Sequence, residues 1–328
     1  MDYGRPPEFG LSVVPSAGEL DAIRAAVTAA DRIGLRLVGI QDHPYQCRFL
    51  DTWMLMASLL AQTERVRLFA DVTNLPLRPP AVLAKQAATL DVLSGGRFEL
   101  GLGSGGFWDA VAAMGGPRRT PGQAVDALEE AIAIIRQAWS GERSVHFEGT
   151  YYSAHGYHPG PLPAHDMEIW IGAYRPRMLR LIGRLADGWI PSLGYLGIAE
   201  IVEAQGVIDA AAAAAGREPS AIRRMLNVSG TIGRGVRGGA ISGSVEEWVA
   251  LLAGWVTEVG LDTFILWPAD PDPRQIEVSA RRLPRACARR LSGAGRRVRR
   301  RRQLAARPAK ISRPSSTPAT SGPTEERR

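Results

Sequence analysis

Residues 68–106 read LFADVTNLPLRPPAVLAKQAATLDVLSGGRFELGLGSGG, and their reading decides the fold. Leu68 to Val72 is a short apolar run closed by Thr73 and Asn74. Pro76, Pro79 and Pro80 end it and open a helix. Val82, Leu83, Ala87, Leu90 and Leu93 then fall at helical spacing. Ser94, Gly95 and Gly96 stop that helix, and Phe98 to Gly103 returns as a buried strand. Two short apolar strands joined by a crossover helix form a parallel βαβ unit.

The same alternation runs outward in both directions. Upstream, Phe9–Val14 and Leu37–Ile40 read as strands, Gly18–Ile33 as a helix, and Asp51 caps a helix from Thr52 to Ala61. Downstream, Pro121–Trp139 is a long helix. Strands are expected at Glu168–Gly172, Asp187–Pro191, Met225–Ile232 and Thr263–Trp267. Helices are expected at Pro176–Leu185, Ala199–Ala215 and Ser244–Val259. Eight strands alternating with helices predict an α/β fold, a closed (β/α)8 TIM barrel, with a doubly wound open sheet as the alternative. Ser140–Asp166, rich in Gly, Pro, His and Tyr, breaks the rhythm and reads as an insertion after helix four, over one mouth of the barrel.

The 328 residues and 45% hydrophobic content suit a barrel in one piece. Cys47 and Cys287 exclude a disulfide framework and suit a reducing, cytoplasmic compartment. No signal-like start and no membrane-length apolar run is present. The net charge of +7 is unevenly placed: residues 281–328 hold 16 of the 40 basic residues and two of the 33 acidic ones, leaving the first 280 residues at −7. Nucleic-acid binding by the body therefore has no electrostatic footprint. The chain divides into a barrel domain, 1–280, and a basic, low-complexity tail, 281–328, expected to be disordered. The tail reads as an interaction segment, as a poorly patterned eighth helix beginning at Pro273 plus a linker, or as an out-of-frame C-terminus. Its Arg/Ala/Pro/Gly composition favours the last.

In such a barrel, chemistry sits at the C-terminal ends of the strands. Those ends carry Asp42-His43, Asp71-Val72-Thr73, Gly103-Ser104-Gly105, Gly172-Ala173-Tyr174, Ile190 and Trp267. The set is rich in glycine and holds no carboxylate pair, metal-spaced His/Cys group or Ser-His-Asp order. It predicts a bound cofactor that carries the reaction. His43 is the candidate proton or hydrogen-bond donor, with Asp42 fixing its orientation; the competing reading is a polar turn before Pro44. Gly101 to Gly106 is spaced GxGxGG rather than as a dinucleotide fingerprint, and reads as a wall where a flat ring can approach the backbone. Gly172-Ala173-Tyr174-Arg175-Pro176 opens a helix whose free N–H groups, with Arg175 and Arg177, offer an anion site for a cofactor phosphate; an ordinary turn with solvated arginines is the alternative. Tyr45, Phe107, Trp108 and Tyr157 are candidates for a substrate mouth. His146, His155, His158 and His165 match no zinc spacing, and no metal is expected. Cys47 reads as a small buried residue rather than a nucleophile.

The segments VTN and RPPAVLAKQAATLDVLSGGRFELGLGSG resemble the luciferase-like monooxygenase family, TIM barrels that use FMN or the deazaflavin coenzyme F-420. The resemblance runs from about Phe9 to Ile276. It implies a His after strand two near the flavin ring, here His43, and a non-prolyl cis peptide at Asp71–Val72 with Val72 backing the ring. It also implies a phosphate loop at Gly172–Arg175, although Tyr174 departs from the usual glycine-rich form. The expected activity is oxygenation of, or hydride transfer to, a small organic substrate. FMN and F-420 are left undecided, with the Asp-His pair leaning to the deazaflavin, and a homodimer is allowed. A flavin-free enzyme acting on a phosphorylated small molecule and a basic-tail nucleic-acid binder are the alternatives.

Overall fold

The computed structural model describes residues 3–233, 241–268, 277–278 and 282–291. The elements in order are β1 (Glu8–Val13), α1 (Leu20–Ile33), β2 (Leu37–Ile40), α2 (Thr52–Leu60), β3 (Arg67–Ala70), β4 (Thr73–Asn74), α3 (Pro80–Ser94) and β5 (Phe98–Gly103). There follow α4 (Trp108–Ala113), α5 (Pro121–Trp139), β6 (Val145–Glu148), β7 (Ser153–Tyr157), β8 (Ile169–Ile171), α6 (Pro176–Leu185) and β9 (Gly188–Trp189). The last are α7 (Ile198–Ala214), β10 (Arg223–Ile232), β11 (Ile241–Gly243), α8 (Val245–Gly254) and β12 (Thr263–Pro268).

The strands pair in parallel in the order β1, β2, β3, β5, β8, β9, β10, β12 and back to β1. The pairings β9–β10 and β12–β1 close the sheet, so the barrel, not the open sheet, is the fold. β4 continues β3 along the barrel wall and pairs with β5, Thr73 opposite Leu102. The strands are apolar on both faces because one face meets the helices and the other fills the barrel. Inside, Leu37, Phe69, Trp170, Ile190, Met225 and Ile265 form one packed layer, with Val72 resting on it. Phe69 and Trp170 meet edge to face, 4.9 Å between centroids. Gly101 makes room for this layer, since a Cβ there would lie 1.9 Å from the carbonyl oxygen of Ala70.

Helix boundaries follow local chemistry. Asp51 accepts from the backbone N–H of Met54 (3.0 Å) at the start of α2, and Thr120 and Ser244 form capping boxes on α5 and α8. Proline opens α3, α5 and α6.

At the N-terminal end of the barrel an ion-pair ring closes the floor. Arg67 pairs with Glu8 and Glu99 (2.8 Å each), and Arg223 with Glu8 (3.3 Å) and Glu168 (3.1 Å). His165 extends the ring, bonding Asp91 through Nδ1 (2.9 Å) and Glu99 through Nε2 (3.3 Å).

Two expectations change. The insertion leaves the C-terminal mouth open: β6 and β7 form an antiparallel hairpin against α5, and His165 near the insertion's end reaches the floor instead. Glu130 of α5 accepts from the N–H groups of Thr150, Tyr151 and Tyr152 at 2.7–2.9 Å. Lys85 of α3 donates to the carbonyl of Gly160 (2.8 Å). A segment between a helix C-terminus and the next strand starts at the barrel floor, so it has the flank, not the catalytic face, within reach. Second, residues 283–291, assigned by composition to the tail, are helical. Leu283 and Cys287, one turn apart, are buried in the core, and this short apolar pair is masked in the sequence by the arginines around it. The eighth-helix start at Pro273, the Gly-rich loop at residues 234–240 and the tail from residue 292 lie outside the described residues. Among the described residues no helix is long and apolar enough to cross a membrane.

Candidate active site

The C-terminal ends of the strands surround a cavity of about 470 Å³. Asp42, His43 and Tyr45 line it from beyond β2, Asp71, Val72 and Thr73 from the β3–β4 segment, and Gly103, Ser104, Gly105 and Phe107 from beyond β5. Gly172, Tyr174 and Ile190 line it on the far side.

The peptide Asp71–Val72 is cis, as the resemblance implied. The Val72 side chain lies between two glycines. A Cβ on Gly103 would sit 2.7 Å from Val72 Cγ2, and one on Gly172 would sit 3.3 Å from it. Val72 thus presents a small apolar surface at the cavity centre, flanked by bare backbone, which is the shape a flat ring needs.

His43 bonds Tyr45, not Asp42: its Nδ1 is 2.8 Å from the Tyr45 hydroxyl. Burial holds the imidazole below its usual pKa, against the pull of the Asp42 charge, so it is mostly neutral near pH 7. Burial pushes the Tyr45 hydroxyl up to about 12, so it keeps its proton. When that hydroxyl donates to Nδ1, the ring proton sits on Nε2, which has no protein partner among the described residues. Phe107 packs edge-on against His43 (5.8 Å, 89°) and lies 5.8 Å from Tyr45. Phe107 is 69% exposed and has φ of 53°, a backbone setting uncommon outside glycine.

Asp42 corrects the expected role. Its carboxylate is buried and engaged elsewhere: Oδ1 accepts from Arg78 (3.1 Å), and Oδ2 from Arg78 Nε (3.3 Å) and the N–H of Asn74 (2.9 Å). Arg78 also reaches Asp51, the cap of α2. Asp42 therefore ties three segments together and acts on His43 only through its field.

Sequence reasoning missed a polar group on the opposite wall. Asn227, midway along β10, donates to Asp71 Oδ1 (3.2 Å) and Ser192 Oγ (3.3 Å). Tyr174 stands near Ser192, and its ring stacks on Tyr195, 5.2 Å between centroids. Asn74, Ser192, Tyr195, Asn227 and Trp267 all line the cavity. The available signal was polar residues at or near strand ends, such as the Asn within MLNVSGTI. Several buried polar atoms here lack a partner among the described residues: Asp71 Oδ2, Thr73 Oγ1, Asn74 Oδ1, Asn227 Oδ1 and Trp267 Nε1. Such groups are costly unless a ligand meets them.

Five predicted residues lie outside the cavity. Tyr157 is in the hairpin and faces α3 and α5. Trp108 sits behind Gly105, where a Cβ would come 2.9 Å from its ring. Ala173 is buried, its carbonyl accepting from Trp189 Nε1 (2.9 Å). Arg175 occupies the N-cap of α6 at the surface, and Arg177 is taken up by Asp126 and the carbonyl of Gly122. Cys47 is exposed rather than buried, because it lies in the turn-rich segment between β2 and α2. His155 pairs with Glu148 across the hairpin (2.9 Å). Among the described residues no three His, Cys, Asp or Glu side chains are grouped to hold a metal.

The closed parallel barrel, with a cavity at its strand C-termini, defines an α/β-barrel of the TIM type. A model of the luciferase-like monooxygenase family matches residues 6–235, and the chain belongs to that family. It is 32% identical over 240 residues to the F-420-dependent hydroxymycolic acid dehydrogenase of Mycobacterium tuberculosis, covering 70% of this chain and 64% of that one. The chain spans between about half and 64% of the length of the curated relatives it matches. An F-420-dependent secondary alcohol dehydrogenase, solved with an F-420–acetone adduct, superposes with a TM-score of 0.76 at 16% identity, covering 86% of this chain and 99% of that one. A riboflavin lyase, solved with modified FMN and riboflavin, also gives 0.76, at 17% identity, covering 87% and 92%.

Proposed function

We propose that the protein is an oxidoreductase that binds a flavin-type ring cofactor in this cavity and acts on a small organic molecule. The carrying observation is the Val72 surface between Gly103 and Gly172, ringed by buried polar atoms without partners. A heteroaromatic ring offers an apolar face to Val72 and polar edges to those atoms. F-420 is favoured over FMN, because several relatives above 30% identity are named as F-420-dependent dehydrogenases and none of those reported is named for FMN. When bound, F-420 supplies hydride transfer, whereas reduced FMN supplies oxygen activation.

The chain's own residues bind, orient and move a proton. Tyr45 holds the His43 ring, leaving Nε2 to exchange a proton with the substrate. Phe107 and Tyr195, both exposed at the rim, supply aromatic walls for the substrate. The N-terminus of α6, with Arg175, is the proposed phosphate site: its first-turn N–H groups carry no side-chain cap. The flavin-free alternative is disfavoured, since no described Lys or Glu lines the cavity. Two free thiols, one exposed, support a reducing cytoplasmic setting. A homodimer fits the exposed Met54 and Leu93, which flank an apolar groove between α2 and α3.

The test is titration with F-420 and with FMN, followed by absorbance and fluorescence quenching. Saturable binding of one of them is expected, and binding of neither sinks the reading. Arg175→Glu should weaken binding by about 1 kcal/mol. Unchanged affinity in that variant removes the phosphate from this turn.

A further inference from the structure

The cavity holds two aspartates at neighbouring strand ends, and they differ in their partners. Asp42 is neutralised by Arg78. Among the described residues Asp71 has no cation beside it: Asn227 Nδ2 reaches Oδ1 at 3.2 Å, and Oδ2 is buried with no partner. Around Asp71 stand Gly39 of β2, Asn227 of β10, and, from the far wall, Tyr174 and Ser192. The nearest charged or titratable groups on β2 are Asp42, already paired, and His43, mostly neutral. Tyr174 keeps its proton, its hydroxyl raised chiefly by burial.

We infer that Asp71 stands protonated in the cavity and offers its carboxyl hydrogen to an acceptor heteroatom, a carbonyl oxygen or imine nitrogen, of a ring seated on Val72. An ionised carboxylate would be left with one amide donor for two oxygens, in a site without a cation. A neutral carboxyl needs fewer donors and gains one of its own to give. Burial, only partly opposed by Asn227, pushes Asp71 up to about 7, which agrees with that geometry. The unpaired Asn227 Oδ1 beside it is a second acceptor that the same hydrogen could use when no ring is bound. The donor half of the inference rests on the cofactor reading above, whereas the protonated state does not.

The experiment has two arms. Infrared difference spectra of the ligand-free protein, wild type minus Asp71→Asn, are recorded from about pH 5 to pH 9. A single protonated carboxyl band, absent in the variant and titrating away near pH 7, is expected. Coincident spectra overturn the inference. Should Asp71→Asn fail to fold, carbon-13 NMR of aspartate-labelled wild type reads the same titration, and a buried aspartate with no such titration overturns it equally. In the second arm, F-420 and FMN binding is followed by calorimetry at about pH 8 in buffers of different ionisation heat. Uptake of close to one proton by wild type and none by Asp71→Asn is expected. Binding without uptake overturns the donor role. Binding of neither ligand sinks the cofactor reading and the donor half together, while the infrared band still decides the protonated state.

Discussion

The two ends of the barrel use polar residues in opposite ways. At the N-terminal end, Glu8, Arg67, Glu99, Glu168 and Arg223 alternate in sign and meet one another at 2.8–3.3 Å. No side-chain atom of these five is left buried without a partner. At the C-terminal end Asp71, Thr73, Asn74, Asn227 and Trp267 each carry a buried polar atom with no partner. Each such atom costs about 1–3 kcal/mol. The ion-pair ring itself is fully paired, although its neighbour Arg224 at the start of β10 keeps two buried nitrogens without a partner among the described residues. The difference agrees with reading the ion-pair ring as structure and the mouth as the proposed site.

That contrast breaks most readily at the floor. Glu99 is buried and accepts from Arg67 (2.8 Å), His165 (3.3 Å) and the N–H of Glu168 (2.9 Å). Glu99→Leu strands all three donors and should cost about 3–5 kcal/mol, read as a shift of the urea midpoint. Cofactor affinity of the protein that still folds should be unchanged. A variant with normal stability but weakened binding would reverse the assignment of the two ends.

At the mouth the corresponding change is His43→Ala. Turnover should fall about 10²-fold, in the range of general acid–base catalysis, with cofactor affinity altered far less. Single-turnover rate and cofactor dissociation constant, measured on the same sample, separate the two effects. Wild-type turnover would leave His43 as a structural partner of Tyr45. Thermal stability should change little, since the ring is partly exposed and has one side-chain hydrogen bond, to Tyr45.

Much of this architecture is written in local sequence. Pro121 and Trp139 bound α5, and Pro176 and Leu185 bound α6, where the sequence places them, because proline at the first helical position and apolar spacing are local signals. The strand ends placed His43 and the glycines at the cavity by the same local signals, whereas the role proposed for Val72 came from the family resemblance. What escaped is what depends on distance along the chain. Asp71 and Asn227 are 156 residues apart, and nothing local tells either that the other is its partner. The Asp42-His43 neighbourhood misled, because adjacent residues at a strand end point apart, and Asp42 turns to Arg78, 36 residues on. The hairpin was visible as a break in rhythm, but its docking on α5 rests on Glu130, whose carboxylate reads as an ordinary helix surface charge until the chain closes on it.

The pH dependence of stability sharpens the comparison, and Asp71 should give its larger part. Its folded-state value of about 7 lies above the ordinary 3.8. Between those values the native state holds a proton that the unfolded chain has released. Stability therefore falls as pH rises through this window and stays reduced above it. Asp71→Asn removes the penalty. The ligand-free variant should exceed wild type by about 2–3 kcal/mol at pH 8, after discounting for the cavity's partial exposure, and by much less near pH 4. Urea midpoints at the two pH values check it, and an equal offset at both would place the cause in packing rather than protonation.

His165 should show the smaller effect, in a separate window. Its hydrogen bond to Glu99 comes first among the causes that lift it from 6.5 to about 9, with Asp91 adding to the lift and burial opposing it. A raised base binds its proton more tightly in the folded state. Its contribution is fully present below 6.5 and is lost as pH climbs through 9. The side chain is 30% exposed, so the contribution should be about 1–2 kcal/mol rather than the full electrostatic value. His165→Gln should lower the urea midpoint at pH 6, and the deficit should shrink towards pH 9.5, where the wild-type imidazole has also lost its charge. Cofactor affinity should be indifferent to the change at every pH, because His165 serves the floor and the ring site lies at the other end. A deficit that persists unchanged at high pH would mean that His165 holds the Ala164–Asp166 segment by its shape and neutral hydrogen bonds. A change in cofactor affinity would mean that floor and mouth are coupled through β5, which runs from Glu99 to Gly103 between them.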